Sequence, residues 1–331
     1  MVPLAFSRAP RAASGVDVCV IGNLTIDVIL RGVDEIPRWG QETLSETRTE
    51  SVAGQAAGMA FAGAALGARV DVVSLVGDDD SGTRIRRELR EAGIGVEAVS
   101  VVPAGTTPLA VALVRRDGER AFISDLGTLG TFDVASVTQR FPEILDASVV
   151  ALVGTSNLPG VDLVAAAGVL SEVRRAGALT VFDPGWDADG WSQRSVAGIR
   201  AVLAETDLFL PNLDEARALT GRTLVGDVLA VLAPLCAGVA IVKGGEDGSY
   251  VAVDGAVLRV AALASEVDNA VGAGDVYNAA VIAGYLHERD VVASMALGTA
   301  AASIYVARRA GRFPTSDEVA DLARRVTTST D

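Results

Sequence analysis

Histidine, lysine and cysteine are nearly missing from this chain of 331 residues. His287 is its single histidine, Lys243 its single lysine, and Cys19 and Cys236 its two cysteines, all other basic residues being arginine. One histidine excludes a multi-histidine metal centre and leaves few catalytic triads open. Two cysteines are too few for a disulfide framework or a thiolate zinc site, and a cytoplasmic, reducing setting is the default expectation. Positive charge is also in deficit: the formal net charge is −14 and the isoelectric point about 4.6, so no cationic surface for nucleic acid is expected. Long apolar runs are absent too. The two uncharged stretches, residues 53–68 and 291–307, fall short of the ~18–20 residues of a membrane span and consist largely of Ala and Gly, so both read as buried helices and no membrane partner is expected. No secretory signal is visible. Residues 1–15 carry Arg8 and Arg11 and no acidic residue, and read as a disordered leader ahead of one domain over residues 16–330.

What is present is apolar mass, 50% of the residues, enough for a sizeable core. Val- and Ile-rich bursts at residues 16–21, 70–75, 149–153, 179–182, 208–210 and 239–242 alternate with helix-period stretches at 56–66, 81–92, 161–176, 214–220 and 227–235. Continuous apolar strands suit a parallel sheet buried on both faces, so the alternation implies a three-layer α/β/α, doubly wound, mostly parallel sheet. Residues 27–51 and 106–124 break the rhythm with strand-like alternation and no covering helices, and are expected to form a small separate sheet. The C-terminal rim of the main sheet is where ligands bind in such folds, and a flap over it is the natural place for the extra strands. From Ala273 onward the pattern is nearly all helical, ending in a capped helix after Pro314.

Four small-residue loops are candidates for chemistry. Gly272-Ala273-Gly274-Asp275 opens a long Ala-rich helix, where backbone N–H groups and the helix dipole favour an anion. Asp275 there reads either as a cap or as a general base taking a proton from an attacking hydroxyl. Lys243-Gly244-Gly245-Glu246-Asp247-Gly248 reads either as a tight turn between strands or as a loop lying against a nucleotide. Asn212 and Glu215 fit a reciprocal capping box, and the same pair suits a hydrated Mg²⁺. The run Gly54-Gln55-Ala56-Ala57-Gly58 is explained equally by close helix–sheet packing and by a substrate loop. Asp27 closes a turn or accepts hydrogen bonds from substrate hydroxyls. Asp78-Asp79-Asp80 reads as a turn with a helix cap at Ser81, and His287 as a solvated helix end. Cys19 and Cys236 read as core residues. The third glycine of a dinucleotide fingerprint would fall at Tyr277, and no Walker-type loop is present.

In this order and spacing, the four loops are similar to the ribokinase, or PfkB, family of carbohydrate kinases, over nearly the whole chain. The most specific piece is Gly272-Ala273-Gly274-Asp275 with its Ala-rich helix; Val76-Gly77-Asp78-Asp79, Ala92-Gly93-Ile94 and Pro314-Thr315 also match. The resemblance implies a ribokinase-like fold with a small β-sheet lid, and an ATP-dependent kinase acting on a hydroxymethyl group of a small sugar. It makes Asp275 the catalytic base and Gly272, Ala273 and Gly274 the anion hole. Asn212, Glu215, Lys243, Gly244, Gly245, Gly248 and Gly274 become the ATP side, with Mg²⁺ held by Glu215 through water. Asp27, Gly54, Gln55 and Gly58 become the substrate side, and the lid implies a homodimer. The departures lie mainly on the sugar side. Gly58 stands where the family usually has Asn, Ala53 where it has a second Gly, and Gly185 and Asp187 where some sugar kinases carry Asn and Arg. Asn269, after Asp268, replaces an acidic residue near the family's monovalent-cation (K⁺) site. A nucleoside (adenosine-type) kinase, for which Gly58 would leave room, is the alternative substrate reading. A non-catalytic sugar- or nucleotide-binding module is the rival of another class, and a Rossmann dehydrogenase is more distant.

Overall fold

The computed structural model describes residues 4–8, 10, 15–187, 190–263, 270–308 and 312–330. In chain order the strands are β1 (Val18–Ile21), β2 (Thr25–Arg31), β3 (Thr47–Ala53), β4 (Val70–Gly77), β5 (Val99–Val102), β6 (Leu109–Val114), β7 (Arg120–Asp125), β8 (Val149–Val153), β9 (Leu179–Asp183), β10 (Leu208–Phe209), β11 (Val239–Lys243), β12 (Ser249–Val253), β13 (Ala256–Val260) and β14 (Thr328–Thr330). The helices are α1 (Gln55–Ala65), α2 (Asp80–Glu91), α3 (Val134–Thr138), α4 (Phe141–Asp146), α5 (Leu163–Arg175), α6 (Gln193–Leu203), α7 (Leu213–Thr220), α8 (Val225–Leu232), α9 (Ala273–Leu286), α10 (Val291–Val306) and α11 (Ser316–Ala323).

Ten strands form one sheet in the order β14-β13-β12-β11-β10-β9-β8-β1-β4-β5. Strands from β11 across to β5 pair in parallel, and β12, β13 and β14 extend the edge antiparallel. The period-two alternation of buried strands splits the core. Val18 and Val20 face the layer holding α1, α2, α9, α10 and α11, while Cys19 and Ile21 face α3 to α8. Connections from β1 run outward to β4 on one side and those from β8 to β11 on the other, so the winding reverses between β1 and β8. Ligands bind at such a switch point, beyond the C-terminal strand ends. The six apolar bursts are the parallel strands β1, β4, β8, β9, β10 and β11.

The extra strands form a four-stranded sheet, β3-β2-β6-β7, with β2 and β6 parallel and hairpin partners outside them. It begins a few residues outside the expected spans. β3 and β7 are mostly exposed, as a sheet with one uncovered face requires. The expected buried helices at 53–68 and 291–307 are α1 and α10, and no single helix among the described residues is long and apolar enough to cross a membrane.

Two expectations need correction. Part of the segment read as a disordered leader is packed on the body: Phe6 meets Tyr285 edge-on at 5.1 Å, Val291 N–H donates to Leu4 O, and Ser7 Oγ donates to Asp207 Oδ1 at 2.8 Å. Arg8 and Arg174 both pair with the buried Asp207, which outweighs the segment's lack of a periodic pattern. The cap of α2 is Asp79, two residues earlier than Ser81. Its carboxylate accepts from Gly82 N–H at 2.8 Å and from Thr107 N–H at 2.7 Å, which ties α2 to the chain entering β6.

Candidate active site

The strands deliver their polar ends to one rim. Asp183 ends β9, Lys243 ends β11, and Asn212 follows β10 and bridges to Lys243. Above them α9 begins at Gly272, whose φ of 84° is open to glycine, and points its first turn into the same space. Packing of α1 against α9 completes the group. A Cβ built at Gly58 would lie 2.7 Å from Asp275 Oδ2, so the Asp275 carboxylate occupies the volume that a larger residue at 58 would take.

Asp275 is partly buried, and its carboxylate has no hydrogen-bond partner among the described residues. Burial, then the charge of Asp183, raise its pKa well above the carboxylate range, and Lys243 opposes them; Glu215 and Asp27 add to the rise. The phenol of Tyr305 also faces this region. Burial and the Asp275 charge raise it, and a Cβ at Gly272 would stand 3.0 Å from its oxygen. Asp27 sits on β2, its carboxylate accepting from Thr25 Oγ1 at 2.8 Å and raised by burial. Of the anion-hole amides, Ala273 N–H reaches back to Ala270 O at 3.4 Å, while those of Gly274 and Asp275 lie ahead of the intrahelical ladder.

On the strand side, Asn212 and Glu215 do form the reciprocal capping box. Asn212 N–H donates to Glu215 Oε2 at 2.9 Å and Glu215 N–H to Asn212 Oδ1 at 2.8 Å. Glu215 is nonetheless buried, and burial, then the charge of Asp183, push it up to about 7 against the opposing charge of Lys243. The Lys243–Gly248 segment is the β11–β12 hairpin, closed by Gly244 N–H to Gly248 O at 2.7 Å. Lys243 does not extend along that turn. Its ammonium lies 2.7 Å from Asp183 Oδ2 and 3.1 Å from Asn278 Oδ1.

The substrate-side glycines divide. Gly54, at φ 94°, caps α1 with its Cα hydrogens against Asn23 O, where a side chain would collide. Gln55 is committed to the interior, its Nε2 donating to Asp183 Oδ1 at 3.3 Å. A Cβ at Gly185 would lie 2.5 Å from Gln55 Oε1, so the Gln55 amide fills the place where some sugar kinases carry Asn. Asp187 is buried and accepts from Trp191 N–H at 3.0 Å. Beside Gly58, the space that a Cβ would enter is taken by the Asp275 carboxylate. Asp268 and Asn269 lie outside the described residues. No group of three or more potential metal ligands occurs among the described residues. His287 ends α9 with its ring against Ala283 O.

Sequence reasoning missed Asp183, Asn278 and Tyr305 as members of this site. A signal existed for the first, an acidic residue at the last position of a buried strand before Pro184-Gly185. Asn278, four residues after Gly274, shares its helix face.

An α/β sheet whose C-terminal strand ends face a carboxylate at a glycine-lined helix start is an arrangement suited to binding an anion. The chain belongs to the pfkB family of carbohydrate kinases, which it matches over residues 16–318. It is 31% identical over 307 residues to an ATP-dependent ribose-1-phosphate kinase of Halopiger xanaduensis, spanning 92% of this chain and 97% of that one. A nucleoside kinase of Methanothermobacter thermautotrophicus is 26% identical over 88% of this chain and 89% of its own. A solved structure of a putative ribokinase II from E. coli, in complex with ATP and Mg²⁺, superposes with a TM-score of 0.78 at 21% identity, covering 94% of this chain and 99% of that one. The protein is thus an ATP-using carbohydrate kinase with the ribokinase-like fold.

Proposed function

We propose that this kinase phosphorylates a hydroxymethyl group of a small sugar, with Asp275 as general base. The Asp275 carboxylate, unpartnered among the described residues at the start of α9 and within the field of Asp27, carries this reading. Asp27 accepts hydrogen bonds from the acceptor's other hydroxyls and so aims the reacting one. Asp275 takes that hydroxyl's proton as the new O–P bond forms and the β,γ-bridging bond breaks, ADP leaving. The Gly272, Ala273 and Gly274 segment supplies amides and the helix dipole where negative charge develops. The small sheet excludes water, the competing nucleophile.

Nucleotide lies along Asn212, Glu215 and the hairpin glycines Gly244, Gly245 and Gly248, with Lys243 beside the phosphates. Mg²⁺ would be held here through water, because Glu215 already spends one oxygen on its own cap. Bound Mg²⁺ neutralises phosphate charge; a monovalent K⁺ is the further ion to test. The protein works in the cytoplasm as a homodimer joined through the small sheet, where Phe122 and Ile123 are exposed.

Asp275→Asn is expected to lower kcat by about 10²–10⁴-fold in an ADP-release assay run over a sugar and nucleoside panel. Wild-type turnover by that variant would overturn the assignment. A nucleoside preferred over every sugar in the panel would transfer the reading to the nucleoside kinases.

A further inference from the structure

Asp183 has no part in the reaction above, yet four donors converge on it. Lys243 Nζ at 2.7 Å and Asn278 Nδ2 at 2.6 Å meet Oδ2, and Gln55 Nε2 at 3.3 Å and Gly185 N–H at 3.2 Å meet Oδ1. The carboxylate is 2% exposed, and the donors come from β11, α9, α1 and its own loop. Asn278 is fully buried, and its amide is oriented by both partners at once: Oδ1 accepts from Lys243 while Nδ2 donates to Asp183.

We propose that Asp183 is a positioning residue, which with Asn278 holds the Lys243 ammonium over the first turn of α9 and keeps it off the Asp275 carboxylate. The inference rests on the reading of Asp275 as base. Four carboxylates, Asp27, Asp183, Glu215 and Asp275, share this region with Lys243, the one cation among the charges acting on Asp275. A lysine stem has several rotatable bonds, and an untethered ammonium would pair with Asp275 and block it. Tethered, it stands 3.4 Å from where a Cβ of Gly274 would be, beside the amides that receive the transferred group. This geometry also accounts for the residue type. In a chain whose other side-chain cations are arginine apart from His287, the one compact ammonium occurs within 3.1 Å of Asn278 Oδ1 and 3.4 Å of where a Cβ of Gly274 would be, a close-packed place suited to a point charge.

The experiment is a double-mutant cycle with Asp183→Asn, Lys243→Met and their combination, with Asp275→Asn alongside, assayed with ATP and the acceptor found in the panel. Each single variant is expected to lose about 10²-fold in kcat, with the acceptor KM within about twofold of wild type. The double variant is expected to be no worse than the poorer single one, because both act through one pair. Losses that multiply, or full kcat in Asp183→Asn, would overturn the proposal without touching the assignment of Asp275, which the Asp275→Asn arm tests by itself. Removing one member of a buried pair is destabilising, whereas the double variant removes both charges and is expected to recover thermal stability. A second measurement starts from the wild-type protein itself. Lys243 is the only lysine, so acetylation by an amine-reactive ester, followed by peptide mass mapping, reads its tether directly. The wild-type protein is expected to label at least about tenfold more slowly than a free lysyl peptide, and the folded Asn278→Ala variant faster than wild type. Labelling of the wild-type enzyme at the free-peptide rate would sink the tether.

Discussion

Residue by residue, the site is defined by charges that the fold holds apart from solvent. Glu215 shows the consequence for stability. Its folded pKa of about 7 lies above the ordinary 4.5, so the native state binds the proton more tightly than the unfolded chain. The stabilisation is complete below about pH 4.5 and is lost as pH rises toward about 7, with a slope of at most about 1.4 kcal/mol per pH unit. Urea midpoints taken across that window, without nucleotide or divalent ion, should fall with pH in wild type. They should be flatter in Glu215→Gln, whose amide oxygen still accepts the capping bond from Asn212. Gly58 makes the complementary point on activity. Gly58→Asn is expected to lower kcat by about 10²-fold by displacing the Asp275 carboxylate that fills the space, even though Asn is the family's usual residue there. A side chain cannot be judged from its own position alone when a neighbour has already expanded into the volume.

At the level of elements, the parallel strands β1, β4, β8, β9, β10 and β11 were legible because each is a short apolar run bounded by turn residues, and so were the helix-period stretches of α1, α2, α5, α7 and α8. The antiparallel edge β12–β14 was not. Its residues alternate weakly, and β14 (Thr328–Thr330) pairs through backbone alone with no apolar signal. β5, a four-residue edge strand, and α6 were also passed over. The candidate site was legible wherever glycine marked it, at Gly272–Gly274 and Lys243–Gly248. It was illegible at Asp183 and Asn278, whose role arises only when β9 and α9 meet. The seam between α9 and α10 illustrates how small residues act by absence. A Cβ at Gly298 would lie 2.8 Å from the Tyr277 ring. Gly298→Val is expected to lower stability by about 1–3 kcal/mol by overpacking, read as a reduced chemical-denaturation midpoint, before any effect on catalysis.

Across the whole molecule, the ten-stranded sheet fixes one rim and leaves the four-stranded sheet as its exposed companion. Ile123 is 62% exposed and Phe122 48%, pointing to opposite faces of the edge strand β7, so each face offers one apolar side chain to a second copy. Light scattering is expected to give a dimer for the wild-type chain and a monomer for Phe122→Glu/Ile123→Glu; a wild-type monomer at micromolar concentration would remove the dimer from the proposal. The anchored residues 4–8 have a practical bearing. Asp207, which Ser7 and Arg8 grip, immediately precedes β10, while Asp183 and Lys243 close β9 and β11 at the other end. An affinity handle joined ahead of that anchor therefore emerges on the side of the sheet remote from the kinase centre and leaves the mouth clear. Cutting the first eight residues away instead strips Asp207 of one of its two arginines, so shortening the chain carries a penalty that lengthening it does not.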